Sequence, residues 1–228
     1  MTIPAGALER LQSVPRLNVS VGVLLSAYSR FGIGGPAAIF AETKCAQNLR
    51  NAVEVIREFS LPHVLIGGGT NLVVADSGFN GVVLRFTGKK LQVTGDTIDV
   101  EAGAELQTVV DESIRAGLSG MHTMTRIPGT LGAAIYGNAG AYGHSIQEFV
   151  EEVIFSDGAE VRIFQNSNCA FRYRESVFKR QKEWIILAAK LRFRSGKRAE
   201  LQKEASEIQA IRDAKYPPSM KCAGSIFK

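Results

Sequence analysis

The sequence has 228 residues and 24.7 kDa, against about 100–200 residues for a typical domain, so it forms one large domain or two lobes. Apolar residues make up 45% and charged residues 21%, which argues against intrinsic disorder, and no apolar stretch approaches the roughly 20 residues of a membrane span. The net charge of +5 is unevenly spread: 11 basic and 16 acidic residues run through Val161, and 16 basic and 6 acidic follow. A basic end suits nucleic-acid phosphates, a small polyanionic ligand, or plain solvation of a surface. Cys45, Cys169 and Cys222 are odd in number and far apart, so neither a disulfide framework nor a zinc site is indicated. A reducing compartment is expected, and the N-terminus shows no signal-peptide pattern.

In chain order, residues 1–20 predict a short helix or arm. Leu49, Ala52, Val53, Ile56 and Phe59 recur at helical spacing and predict an amphipathic helix over Ala46–Phe59. Val64–Ile66 and Gly81–Phe86 read as strands around a Gly-, Asn- and Asp-rich loop, and Leu91–Ala102 as a strand pair turning at Gly95-Asp96. Leu106, Val109, Val110 and Ile114 predict a second helix with Gly117 at its C-cap. Phe149–Phe155, Ala159–Phe164 and Trp184–Phe193 read as strands of a mixed or antiparallel sheet. Residues 199–213 predict a polar helix with Leu201, Ala205, Ile208 and Ile211 on one face, stopped by Pro217-Pro218. The fold class is α+β.

Three glycine-rich runs bear on binding. Gly32–Ala37 fits the dinucleotide fingerprint G-x-G-x-x-A, yet its flanks, polar before and strand-like after, are wrong for that motif. No G-x-x-x-x-G-K-[ST] loop occurs. Gly67, Gly68, Gly69, Thr70, Asn71 and Leu72 leave a predicted strand, and glycines there allow backbone N–H groups to converge on phosphate oxygens; a structural turn is the competing reading. The segment Arg126–Gly143 has small residues at 129, 132, 133, 134, 137, 139, 140 and 141, which would let a flat ring lie against its backbone. Two such loops suggest one long ligand, with a diphosphate on the first and a planar ring along the second.

The runs Y-S-R-F-G-I-G-G-P-A, I-G-G-G-T-N-L-V-V-A-D-S-G-F-N-G-V-V, R-I-P-G-T-L-G-A-A-I-Y-G-N-A-G-A-Y-G, Y-R-E-S-V-F-K and A-G-S-I-F-K follow one another from Tyr28 to Lys228. In this order they closely resemble the UDP-N-acetylenolpyruvoylglucosamine reductase family of peptidoglycan precursor synthesis. The resemblance implies a two-lobed FAD-binding fold of the vanillyl-alcohol oxidase type, with lobes at 1–86 and 87–196 and the start of a substrate domain at 197–228. It implies FAD and NADPH as cofactors and reduction of the enolpyruvyl ether of UDP-N-acetylglucosamine to UDP-N-acetylmuramate. FAD contacts would come from Gly67–Leu72 and from Ile127, Pro128, Gly129, Thr130, Gly132, Ala133, Asn138, Ala139 and Gly140.

Hydride addition leaves an enolate conjugated with a carboxylate, which a fixed guanidinium can hold with bidentate hydrogen bonds. The family's arginine matches Arg174, beside the substrate-contacting Tyr173, and its serine proton donor matches Ser225. From the residues alone, Arg172 and Arg174 read as solvent-facing strand positions, with Glu175 as a surface ion-pair partner. His63, His122 and His144 read as ordinary core or surface residues, and the cysteines as small buried apolar groups. No metal is expected.

The family also uses a C-terminal Glu beyond A-G-S-x-F-K, and this sequence ends before it. Between Lys179 and Trp184 there is little room for the Tyr-bearing insertion of one subclass, so the sequence looks like the subclass without it. A cytoplasmic monomer acting on a UDP sugar is expected, with no nucleic-acid or membrane partner. The alternatives are an FAD-binding module without turnover and, third, a nucleic-acid-binding protein.

Overall fold

The computed structural model describes residues 3–217 and 219–221, and the chain divides into two compact units: residues up to Gly88 together with Lys221, and Lys89–Met220. The first unit contains α1 (Ala5–Ser13), β1 (Asn18–Leu24), β2 (Pro36–Thr43), α2 (Ala46–Glu58), β3 (His63–Ile66) and β4 (Phe79–Phe86). Its four-stranded sheet has the order β1-β2-β4-β3, with β1 antiparallel to β2 and the other two pairings parallel. Central strand β4 buries Gly81–Leu84 and Phe86, the near-continuous apolar run of a strand covered on both faces. In α2, Leu49, Ala52, Val53 and Ile56 are buried, as the 3.6-residue spacing predicts.

The second unit begins with β5 (Leu91–Thr94), β6 (Thr97–Glu101), α3 (Leu106–Arg115) and β7 (Leu118–Ser119). It continues through α4 (Leu131–Tyr136), β8 (Gly140–Ala141), β9 (His144–Ser145), β10 (Val150–Ser156) and β11 (Val161–Gln165). It ends with α5 (Val177–Arg180), β12 (Ile185–Arg192), β13 (Arg194–Ser195) and α6 (Arg198–Lys215). The main sheet, β11-β10-β12-β6-β5, is antiparallel throughout, and the β8–β9 and β7–β13 pairs are short ribbons. Phe155, Phe164, Phe178 and Trp184 form one edge-to-face and tilted aromatic cluster against this sheet. Gly117 ends α3 with φ +70°, its N–H donating to the Ile114 carbonyl at 3.0 Å.

One local expectation fails. The predicted apolar face of α6 is buried only at Leu201 and Ala205, while Ile211 is 56% exposed. Polar contacts hold this helix as well: His122 Nε2 lies 2.7 Å from a Glu204 carboxylate oxygen, and Arg126 forms an ion pair with Asp213 at 2.7 Å. The glycine-rich segment Arg126–Gly143 contains helix α4, for which no helix is predicted from the sequence; Leu131 and Gly132 donate to the Ala104 and Ala102 carbonyls and anchor its first turn. Among the described residues no helix is long and apolar enough to cross a membrane.

Candidate functional site

In the first unit, parallel strands β2, β4 and β3 align Glu42, Arg85 and Ile66 in one row near their carboxyl ends. One residue beyond that row the chain enters Gly67. Gly69 adopts φ +64°, and a Cβ there would run into the Tyr28 carbonyl, so the position demands glycine on both grounds. The loop is stitched to the segment after β1: Arg30 N–H donates to the Gly69 carbonyl at 3.1 Å, and Ser29 Oγ to the Leu72 carbonyl at 2.9 Å. Leu72 packs with Tyr28 against the buried cluster of Leu25, Ala37, Phe40, Ile66 and Val83, and Asn71 is exposed.

These contacts border an open cavity of about 390 Å³. Gly67, Gly68 and Thr70 form one side, and Ala27, Tyr28, Ser29, Arg30 and Arg85 the rest. Two guanidiniums, three hydroxyl side chains and two glycines line it, with no carboxylate, so its chemistry favours a multiply charged anion. Tyr28, Ser29, Arg30 and Arg85 are members that sequence reasoning missed. Tyr28–Arg30 reads as the polar flank that disqualifies Gly32–Ala37 as a dinucleotide fingerprint and as the start of the first family run, but not as part of a binding site.

In the second unit, the remaining expected residues serve mainly to build the backbone. Ile127 donates to the Met124 carbonyl, and the carbonyl of Gly129, at φ +123°, accepts from Leu106 at 2.9 Å. Pro128 follows Ile127, and Thr130 caps α4 by accepting from the Ala133 N–H at 3.4 Å. Gly132 needs its small size: a Cβ would sit 3.0 Å from the Ala102 Cβ. Ala139 donates to the Ala134 carbonyl at 2.8 Å.

Asn138 and Gly140 are brought together with the Arg172–Arg174 turn. Buried Asn138, at φ +42°, donates to the Arg172 carbonyl at 2.9 Å and to Gln147 at 3.1 Å, and its Oδ1 accepts from the Gln147 N–H at 3.3 Å. Arg174 is in a turn at φ +56°, not in a strand. Its guanidinium donates to the Gly140 carbonyl at 2.8 Å and the Asn138 carbonyl at 3.4 Å, and lies 5.4 Å from the Tyr173 ring, which is itself 69% exposed. Glu175, expected beside it, pairs with Lys179 at 3.0 Å. Ser225 lies outside the described residues.

Cys169 is buried, and that burial pushes its thiol up to about 12, which makes it a poor nucleophile; Cys45 is only half-buried, against the reading as a small core group. Among the described residues no cluster of His, Cys, Asp or Glu is gathered to hold a metal.

An FAD binding domain family model matches residues 36–163. The UDP-N-acetylenolpyruvoylglucosamine reductase of Solibacter usitatus is 49% identical over 219 residues, which span 96% of this chain and 70% of that relative. The enzyme of the same name from Caldanaerobacter subterraneus subsp. tengcongensis is 35% identical, over 90% and 68%. The crystal structure of UDP-N-acetylenolpyruvylglucosamine reductase from Thermus caldophilus superposes with a TM-score of 0.79 at 30% identity, covering 93% of this chain and 75% of that one. Berberine bridge enzyme from Eschscholzia californica, at 17% identity and a TM-score of 0.63 over 84% of this chain and 44% of its own, shares the fold alone. With a glycine loop bordering an arginine-lined cavity and these relatives matching nearly its whole length, the chain belongs to the UDP-N-acetylenolpyruvoylglucosamine reductase family, on an FAD-binding fold of the vanillyl-alcohol oxidase type.

Proposed function

We propose that the protein is an FAD-dependent oxidoreductase that draws hydride from NADPH and reduces the enolpyruvyl ether of UDP-N-acetylglucosamine to UDP-N-acetylmuramate. The observation that carries this reading is the cavity under Gly67–Thr70, found in a chain 49% identical to a relative named for that reaction. The residues present fit a diphosphate-bearing cofactor: Arg30 and Arg85, the latter paired with Glu42 at 2.8 Å outside the lining, supply positive charge, and Ser29 and Thr70 supply hydroxyls. FAD, when bound, supplies the hydride chemistry, so the chain's task is binding, orientation and electrostatics.

Arg174 is suited to the substrate carboxylate. Its guanidinium has five N–H donors in a fixed fork. The Gly140 and Asn138 carbonyls and the Tyr173 ring hold it in place while donors remain for bidentate contact with a carboxylate. A cation restrained in this way opposes the negative charge that develops on the substrate without first having to reorganise. Ser225 is proposed, from the family motif, to hold the proton that quenches this charge. The excess of basic residues beyond Arg162 supports attraction of a UDP sugar.

A visible spectrum of the purified protein is the first test, followed by anaerobic addition of NADPH and then of UDP-N-acetylenolpyruvoylglucosamine. A yellow protein that bleaches with the first and recovers its colour with the second is the expected result. A colourless protein that takes up no added FAD overturns the flavin assignment. Bleaching with no recovery would leave an FAD-binding module that lacks turnover.

A further inference from the structure

Strand β4 is buried at every position from Gly81 to Phe86 except Arg85, which is half-buried. Placing a guanidinium at the end of such a strand carries a desolvation cost, and a lone surface-type ion pair recovers little of it. Glu42, its register neighbour, engages only Nη1, at 2.8 Å, and is the hydrogen-bond partner of Arg85 among the described residues. On its other side the guanidinium lies 5.3 Å from the Tyr28 ring, and that ring packs at a tilt against Phe40, centroids 4.4 Å apart. The fork is thus fixed by an ion pair and an aromatic face while most of its donors are left over, and it lines the cavity that Gly67 and Gly68 border. It also occupies the carboxyl end of a parallel strand, the side of an open α/β sheet on which ligands bind.

We propose that Arg85 is the charged anchor of a diphosphate subsite built by the first unit, with Glu42 and Tyr28 as the residues that position it. The inference deepens the flavin reading, which supplies only the identity of the ligand carrying the diphosphate. Calorimetric titration of the full chain with inorganic pyrophosphate, FAD and riboflavin, in the wild type, Arg85→Met and Arg85→Lys, tests it. A charge-assisted hydrogen bond contributes about 1.5–3 kcal/mol, so Arg85→Met should weaken pyrophosphate and FAD binding about 10- to 100-fold. Riboflavin, which has no phosphate, should bind both proteins alike. Arg85→Lys keeps the charge without the fork and should fall between them. Should Arg85→Met fail to fold by circular dichroism, Arg85→Lys alone decides, with a loss of about tenfold for both phosphate-bearing probes expected.

Equal affinity of wild type and variant for pyrophosphate and FAD overturns the inference, as does a loss for riboflavin as large as that for FAD. A wild type that binds FAD through some other group sinks the anchor and spares the flavin reading. One that binds pyrophosphate through Arg85 yet takes no FAD does the reverse. A wild type that binds neither overturns both.

Discussion

The two glycine-rich stretches of this chain look alike on paper and do different work. Gly67–Leu72 leaves a parallel strand and turns over a cavity, pinned from behind by Ser29 and Arg30, so its glycines create an open surface. Ile127–Gly140 spends its backbone groups internally: Leu131, Gly132, Ala133, Ala134, Gly137, Asn138 and Ala139 all donate to groups of their own unit. Its small residues let α4 approach the Ala102–Ala104 backbone and let Asn138 and Gly140 offer carbonyls to Arg174. In both stretches a glycine admits a close approach within its own unit, of the Tyr28 backbone at Gly69 and of Ala102 at Gly132, and the first stretch also borders the cavity.

The largest effect is expected from Gly69→Ala. The substitution must accept φ +64° and collide with the Tyr28 backbone, which no side-chain rotation can relieve. We expect a loss exceeding about 3 kcal/mol together with failure to retain FAD, since strain and clash add. A urea melt with flavin absorbance followed in parallel checks both, and a variant of wild-type stability would remove the claim that this loop is sterically determined.

Arg174→Ala probes the other stretch. If the Asn138–Gly140 loop presents the guanidinium to the substrate, turnover should fall about 10²- to 10³-fold, as when one preorganised donor is lost. Flavin content and NADPH bleaching should be unchanged. Loss of flavin in the same proportion as activity would mean that Arg174 serves the fold by tying down Gly140, and would make this region structural throughout.

Legibility followed the same division. Helix α2 and the strands β4, β6, β10 and β12 could be read because periodic burial of large apolar side chains determines them. Helix α4 could not, since Leu-Gly-Ala-Ala-Ile-Tyr carries a low helix propensity at Gly132 and is held by the Ala102 and Ala104 carbonyls, a tertiary contact without a sequence signature. Arg174 was found through a family motif, but its partners were misjudged, because alternation with Phe171 and Tyr173 imitates a strand where the chain makes a turn. Arg85 was hidden in a strand whose other residues are buried: nothing in Val-Val-Leu-Arg-Phe says that the sheet register will put the arginine next to Ile66, at the mouth of the glycine loop.

A smaller effect is expected from Asn138→Ala. The side chain makes three hydrogen bonds, two of them to backbone groups of Arg172 and Gln147, and the residue sits at φ +42°, which Asn tolerates better than Ala. Leaving those buried partners unpaired should cost about 2–3 kcal/mol. The loss should appear in chemical denaturation, and with it a turnover defect resembling a mild Arg174 variant, because Asn138 holds the turn that carries Arg174. Wild-type stability with reduced turnover would instead mean that Asn138 acts on a ligand directly.

The smallest effect should come from Gly143→Ala, and its value lies in the contrast with Gly69. Both glycines have positive φ, +84° and +64°, so both substitutions incur the left-handed strain of an L-residue. Around Gly143 a Cβ would meet nothing within 4 Å, whereas at Gly69 it meets the Tyr28 backbone. Gly143→Ala therefore isolates the conformational part, about 1 kcal/mol, partly offset by the lower entropy of the unfolded chain. The excess loss at Gly69 then measures the steric part alone. If the two variants melt together, the close approach of Tyr28 to Gly69 is dispensable, and the cavity wall it forms can yield without disturbing the sheet beneath it.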